Sequence, residues 1–237
     1  MRDVRAPIMD AKRKSRAQEE LLALYLRLNG FFVTGFIVHS PIHGQNATEV
    51  DLLAVRFPYN KEPERQVDPD SAIETSDQVV DLAICEVKSK GQQLQFNQAL
   101  LASSDQIACV LRWSGMFQES EIQQLAPQVQ AALSPSHSSK AAIPCIRGPR
   151  GTRVRGILCS PERDTRRNNQ AWFLPGSAML SYVSRCLCPP VPRSTCATTY
   201  DFGVWGQYEG IVRYIKDRGP NNHGTVKDLY AHLQKAL

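Results

Sequence analysis

The feature that most constrains this chain is a pair of apolar, strand-forming runs that each carry acid. Thr48 to Phe57 reads TEVDLLAVRF, and Val79 to Lys88 reads VVDLAICEVK. Their near-continuous apolar, β-branched character predicts strands buried on both faces of a sheet. An ionised carboxylate in such a strand is costly unless it is paired or bound to a cation. Asp51 sits inside the first run, and Glu86 and Lys88 sit at the end of the second. Glu86 and Lys88 are two positions apart and share one face of their strand, while Val87 between them points to the core. A lysine beside two acids stays charged, and two acids beside a divalent cation both stay ionised.

The flanking patterns place these strands in a mixed sheet. A helix is expected from near Ser15 or Gln18 to Asn29, with Leu21, Leu22, Leu24, Tyr25 and Leu28 at helical spacing and Gly30 as its stop. Phe31 to His39 reads as a strand, and Ser40 to Ala47, with Pro41, Gly44 and Asn46, as a turn. Pro58 to Gln78 carries Pro63, Pro69 and many charges, and reads as an exposed insertion. Gln92 to Leu133 is mostly helical by pattern with a break near Ser114-Gly115, and Ile107 to Trp113 fits either a helix or a strand. Thr152 to Cys159 and Ala171 to Leu174 read as short strands. Gly176 to Arg185, Trp205 to Asp217 and Thr225 to Ala236 read as helices. Three strands close in sequence favour an antiparallel meander. A later strand reached through helices pairs in parallel by a right-handed crossover. The expected class is α/β, a mixed sheet flanked by helices.

Composition narrows the class further. Hydrophobic and charged shares of 42% and 22% are those of an ordinary globular chain. No run approaches the roughly 18 to 20 apolar residues of a membrane span. The segment MRDVRAPIMDAKRKSRAQ is basic with no apolar stretch after it, so a cytoplasmic protein without a membrane partner is expected. The seven cysteines are odd in number, which argues against a disulfide framework. Cys186, Cys188 and Cys196 form no closed four-ligand zinc pattern and read as reduced thiols. The net charge of +5 is unevenly spread. Arg2, Arg5, Lys12, Arg13, Lys14 and Arg16 form one basic segment, and Arg147, Arg150, Arg153, Arg155, Arg163, Arg166 and Arg167 another. Glu62, Glu64, Asp68, Asp70, Glu74, Asp77 and Asp81 lie between them. Two basic segments suit phosphate backbones as well as a plain solvated surface. No G-x4-G-K-[ST] occurs, so any ATP dependence would come from a partner.

An acid on one strand followed by Glu86-Val87-Lys88 on the next resembles the PD-(D/E)xK nuclease superfamily, which includes restriction endonucleases and Holliday-junction resolvases. QEELLALYLRLNGFF resembles the resolvase opening, an acid, an apolar helix and then G-F, with either Glu19 or Glu20 as the helix acid and Glu19 the better fit. Val50 stands where the family often has proline, and the long Asp51 to Glu86 spacing departs from the pattern. A second acid-x-Lys, Asp10-Ala11-Lys12, has no strand character. The resemblance implies a restriction-endonuclease-like αβββαβ core over 15–175 with the acidic insertion 58–78. A basic arm 1–14 precedes the core, and a helical extension 176–237 packs on it. It implies Asp51, Glu86, Lys88 and Glu19 as catalytic residues. It implies one Mg²⁺ or Mn²⁺ on Asp51, Glu86 and the Val87 carbonyl, and Lys88 positioning the attacking water. Lys90, Arg13, Lys14, Arg153 and Arg155 would meet nucleic-acid phosphates. The implied partner is DNA, with RNA open, in a homodimer or a larger defence or repair complex. The alternative is a catalytically silent nucleic-acid-binding or assembly subunit of the same fold. Gln92, Gln93, Gln95 and Gln98 follow the E-x-K strand and read either as helix-start polarity or as site residues, and Ser89 and Lys90 as phosphate contacts or plain solvent exposure. His39 and His43 read as surface or structural, and Trp113, Trp172 and Trp205 as core.

Overall fold

The computed structural model describes residues 9–39, 46–62, 65–134, 142–164, 171–192 and 202–235. Among these the chain is mixed α/β, with one open six-stranded sheet and seven α-helices. The elements are α1 (Ala11–Leu28), β1 (Phe32–His39), β2 (Asn46–Arg56), β3 (Val80–Val87), α2 (Gln98–Leu101), α3 (Ser104–Ser114) and α4 (Glu119–Leu133). They continue with β4 (Cys145–Arg147), β5 (Thr152–Ser160), β6 (Leu174–Pro175), α5 (Gly176–Leu187), α6 (Glu209–Arg218) and α7 (Val226–Lys235). The sheet order is β1-β2-β3-β5-β4, with β6 paired to β5 beyond that path. β1, β2 and β3 form the expected antiparallel meander, and β5 joins β3 in parallel after the helices. No described helix is long and apolar enough to cross a membrane.

Local chemistry sets the boundaries. α1 begins at Ala11, ahead of the expected Ser15, because the Asp10 carboxylate accepts the Arg13 amide at 2.9 Å and caps the helix. Lys12, Arg13 and Lys14 therefore belong to the first turn of α1 and not to an arm. Ile107 to Trp113 is helical: Ile107, Val110 and Leu111 bury one face, Ser103 caps the start, and Gly115 at φ 68° stops α3. Gln92 to Phe96 precede the helices, and the Asn97 side chain caps α2. Of Ala171 to Leu174 only Leu174 joins the sheet, and the three-residue β4 was too short to show in the pattern. The 58–78 segment is more than an exposed insertion. Ile73 is fully buried, and Asp70 accepts the Tyr25 hydroxyl at 2.8 Å while its amide donates to the Asn29 side chain at 2.7 Å.

Two cores lie on the two faces of the sheet. Leu52, Ala54, Ala83, Cys85, Val87, Ile157 and Cys159 pack against α1, α5, α6 and α7. Leu53, Leu82, Ile84, Val154 and Leu158 pack against α2, α3 and α4. β3 thus alternates between the cores and is buried almost throughout, as its apolar run predicts. β1, whose apolar run likewise predicts burial on both faces, is instead the sheet edge and mostly exposed.

Arg153 and Arg155 are withdrawn from any phosphate contact. Both pair with the fully buried Asp81, at 2.6 and 2.7 Å, at the end of β3 remote from Glu86. Arg155, 2% exposed, also donates to the Ile73 carbonyl. This closed charge cluster is structural. Asp81→Ala leaves the buried Arg155 without its ion-pair partner, and urea denaturation should show a loss of ~3–5 kcal/mol. A loss below ~1 kcal/mol would mean that the cluster is not a structural requirement.

Candidate active site

A β-bulge positions the first acid. Thr34 on β1 opposes Leu53, but Phe36 opposes Val50, so Asp51 and Leu52 together face Gly35. The Asp51 carbonyl lies 3.7 Å from where a Gly35 side chain would begin. Glycine within a strand is the sequence signal for such a bulge, and it stands in FVTGFIVH. The β2–β3 ladder runs from Arg56–Asp81 to Leu52–Cys85 and ends there. One residue further, Asp51 Oδ2 accepts the Val87 amide at 2.7 Å. The carboxylate thus takes the place of a backbone acceptor and reaches onto the strand that carries Glu86.

Glu86 follows the alternation of Leu82 and Ile84 and faces the α2–α4 side, 5% exposed. Lys88 Nζ lies 2.5 Å from Glu86 Oε1. The Lys88 main chain is held by β5: its amide donates to the Cys159 carbonyl at 2.8 Å, and its carbonyl accepts the Ser160 hydroxyl at 2.8 Å. The Val87 side chain packs in the α1 core, so its main chain lies between Asp51 and Glu86. Asn97, which sequence reasoning missed, donates from Nδ2 to Thr48 Oγ1 at 3.1 Å, and its amide bonds the Glu86 carboxylate.

The acids are crowded. Burial, then the charge of Asp51, pushes Glu86 up to about 7, against the pull of Lys88 and the Asn97 amide. Burial also raises Asp51, opposed by the Val87 amide and Lys88. Glu19 on α1 is raised by burial and by the charges of Asp51, Glu49 and Glu20, while a 3.0 Å bond from the Ser15 hydroxyl pulls it down. Glu20 pairs with Arg16 at 2.8 Å, so Glu19 is the helix acid turned toward the site. Glu49, an exposed residue on β2, is a fourth nearby carboxylate that the sequence reading did not single out.

The remaining candidates fall in several places. Lys14 pairs with Glu162 at 2.6 Å, and Lys90 donates its amide to the same carboxylate at 3.0 Å, which brings both lysines to the exit of β3. Arg13 lies in the first turn of α1, 3.4 Å from Asp10. Gln92 Oε1 accepts the Ser89 amide at 2.8 Å and closes the turn after β3. Gln18, missed in the sequence, is 1% exposed. It accepts the Ser89 hydroxyl at 3.0 Å and donates to the Tyr230 hydroxyl at 2.8 Å. His39 is exposed at the end of β1, and Trp172 and Trp205 are buried. Trp113 is not core: it is 53% exposed and packs on Phe36 at 4.9 Å. The six described cysteines are free thiols. Arg2, Arg5, His43, Arg166, Arg167 and Cys196 lie outside the described residues.

Among the described residues no group of three or more His, Cys, Asp or Glu side chains is close enough to hold a metal. The donors that do converge are two carboxylates and the Val87 main chain. Magnesium binds through one or two carboxylates and keeps several waters, so this set fits it. The crowding fits as well, because Lys88 supplies one positive charge to a site where burial and the charge of Asp51 raise the cost of ionising Glu86. No protein family, curated protein or solved structure matches this chain.

The raised Glu86 gives a stability prediction. Between its ordinary range and about 7 the folded protein keeps a proton that the unfolded chain has lost, so stability falls as pH rises through that window. In EDTA, Glu86→Gln should match wild type near pH 4.5 and exceed it by ~2–3 kcal/mol at pH 8. Parallel denaturation curves at the two pH values measure this, and an unchanged gap between the two proteins would refute the assignment.

Proposed function

We propose that this chain is a metal-dependent nuclease of the PD-(D/E)xK type that hydrolyses phosphodiester bonds, with DNA as its substrate. The observation that carries the proposal is the convergence of Asp51, Glu86 and Lys88 from two adjacent strands, through the hydrogen bond from the Val87 amide to Asp51 and the Glu86–Lys88 contact. The element order supports it: α1, an antiparallel β1–β2–β3, helices, then β5 parallel to β3, as a restriction-endonuclease-like core requires. Lys90, exposed at the β3 exit, supplies a cation for a phosphate backbone.

Each residue has a definable task. Asp51, Glu86 and the Val87 main chain would hold one Mg²⁺ or Mn²⁺, with Glu19 behind them orienting a water. Such an ion, when bound, lowers the pKa of a coordinated water and polarises the phosphate. Lys88 presents ammonium donors to the attacking water and to the non-bridging phosphate oxygens. Those oxygens gain charge as the new P–O bond forms and the P–O3′ bond breaks, leaving a 3′-hydroxyl and a 5′-phosphate. The clamp of the Lys88 main chain on β5 fixes the base of that side chain.

Supercoiled plasmid incubated with Mg²⁺, Mn²⁺ or EDTA tests this directly. Cleavage should require the cation. Asp51→Ala, Glu86→Ala and Lys88→Ala should each lose at least ~100-fold in rate, and Lys88→Ala should still shift DNA in a gel. Glu19→Gln should lose ~10-fold, as expected of an outer group. EDTA-resistant cutting, or a wild-type rate in the Lys88 variant, would remove this site from the chemistry.

A further inference from the structure

A cavity of about 370 Å³ opens beside the β3 exit, lined among others by Lys90, Glu162, Asp164, His223, Lys227 and Tyr230. Its place follows from the sheet. Lys90 lies two residues beyond Lys88 on the chain leaving β3, and Glu162 two residues beyond Ser160, which bonds the Lys88 carbonyl from β5. Val226, Lys227 and Tyr230 of α7 close the other side. The volume sits at the small end of the ~300–1,000 Å³ range of ligand pockets, the scale of one nucleoside.

The lining is chemically divided. Among the described residues neither the Lys90 nor the Lys227 ammonium has an ion-pair partner, although Lys14 is committed to Glu162. Both oxygens of Glu162 are occupied, one by Lys14 and one by the Lys90 amide, so its charge is spent. Among the described residues the unpaired cations of this lining are those two lysines, both exposed. Pro161, Val226 and the Tyr230 ring supply an apolar wall, while Asp164 and His223 add polar groups able to meet the edge of a planar heterocycle. The Tyr230 ring is held in place, because its hydroxyl accepts from Gln18 Nε2, and Gln18 in turn accepts from Ser89, the residue next to Lys88. The wall of the cavity and the E-x-K strand are joined by two hydrogen bonds.

We propose that this cavity receives one nucleotide of the nucleic-acid strand adjacent to the scissile phosphate: the base against Tyr230, the phosphate between Lys90 and Lys227. An aromatic wall takes any base, because every base has a π-face, and the lysines track the backbone. An unstacked nucleotide so held fixes the strand relative to Lys88. The proposal rests on the nuclease reading for its strand, but the binding site is testable without cleavage.

The experiment measures binding of thymidine and adenosine 5′-monophosphate to the full chain in EDTA by calorimetry. Wild type and Asp51→Ala should bind both alike. The exposed-lysine pair Lys90→Ala/Lys227→Ala should bind at least tenfold more weakly, and Ser177→Trp, which fills the cavity, should not bind, with circular dichroism confirming the fold of each. A thymidine hexanucleotide should displace the monophosphate. No binding at millimolar nucleotide, binding indifferent to the lysine pair, or inorganic phosphate binding as tightly as the nucleotide would overturn the proposal. A monophosphate that the hexanucleotide fails to displace would also overturn it, marking a free-nucleotide site. Intact nucleotide binding in a protein that never cuts plasmid would refute the nuclease and leave the nucleotide site standing.

Discussion

The hydrogen bond from the Val87 amide to the Asp51 carboxylate is made where the β2–β3 ladder runs out of backbone pairs. A side chain there does the work of a carbonyl, and it can do so because the bulge opposite Gly35 brings Asp51 one step out of register with its neighbours. The bulge has a second effect. It returns Val50 and Leu53, three positions apart, to the same core against α3 and α4. One irregularity therefore reconciles a continuous hydrophobic face with a carboxylate aimed at the next strand. Glu86, Lys88 and the main chain of Val87 take their places from that contact and from the β5 clamp behind it.

The two ends of β3 treat charge in opposite ways. At its start, the fully buried Asp81 has two arginines, and the cluster is closed. At its end, Lys88 acts on Asp51 and Glu86 while Glu19 lies near the charge of Asp51, and burial raises all three acids above their ordinary range. The first arrangement holds the sheet together. The second works against folding, because each acid is taken from water with too little positive charge to offset it. A fold keeps such a cost where function needs it. A divalent cation would supply the missing charge, and the two-carboxylate donor set suits an ion that retains water for chemistry.

Much of this was legible in the chain. The apolar runs around Asp51 and Glu86 gave two adjacent strands, and the two-residue spacing of Glu86 and Lys88 gave their shared face. The Asp51–Glu86 juxtaposition then followed from an antiparallel pairing. Charge partners were not legible, because they depend on register across the sheet. Arg153 and Arg155 looked like a phosphate-facing pair, yet the parallel pairing of β5 with β3 sets Arg153 opposite Asp81 and closes both arginines onto it. The choice between Glu19 and Glu20 needed the rotation of α1, which turns Glu20 to Arg16 and Glu19 toward Asp51. Gln18 escaped notice because a glutamine among charges looks like surface, whereas here it is the polar link between α7 and the turn after Lys88. The anchoring of the 58–78 segment was not legible in its polar composition, because it rests on the buried Ile73 and on the bonds of Asp70 to Tyr25 and Asn29.

The central claim is that Asp51 and Glu86 form a divalent-cation site, and direct Mn²⁺ binding measured by electron paramagnetic resonance tests it without requiring a substrate. At pH 8 the wild-type chain should bind one Mn²⁺ that Mg²⁺ competes away. Asp51→Ala and Glu86→Ala should each abolish it while keeping their fold. Absence of bound Mn²⁺ in the wild type, or undiminished binding in both variants, would contradict the account.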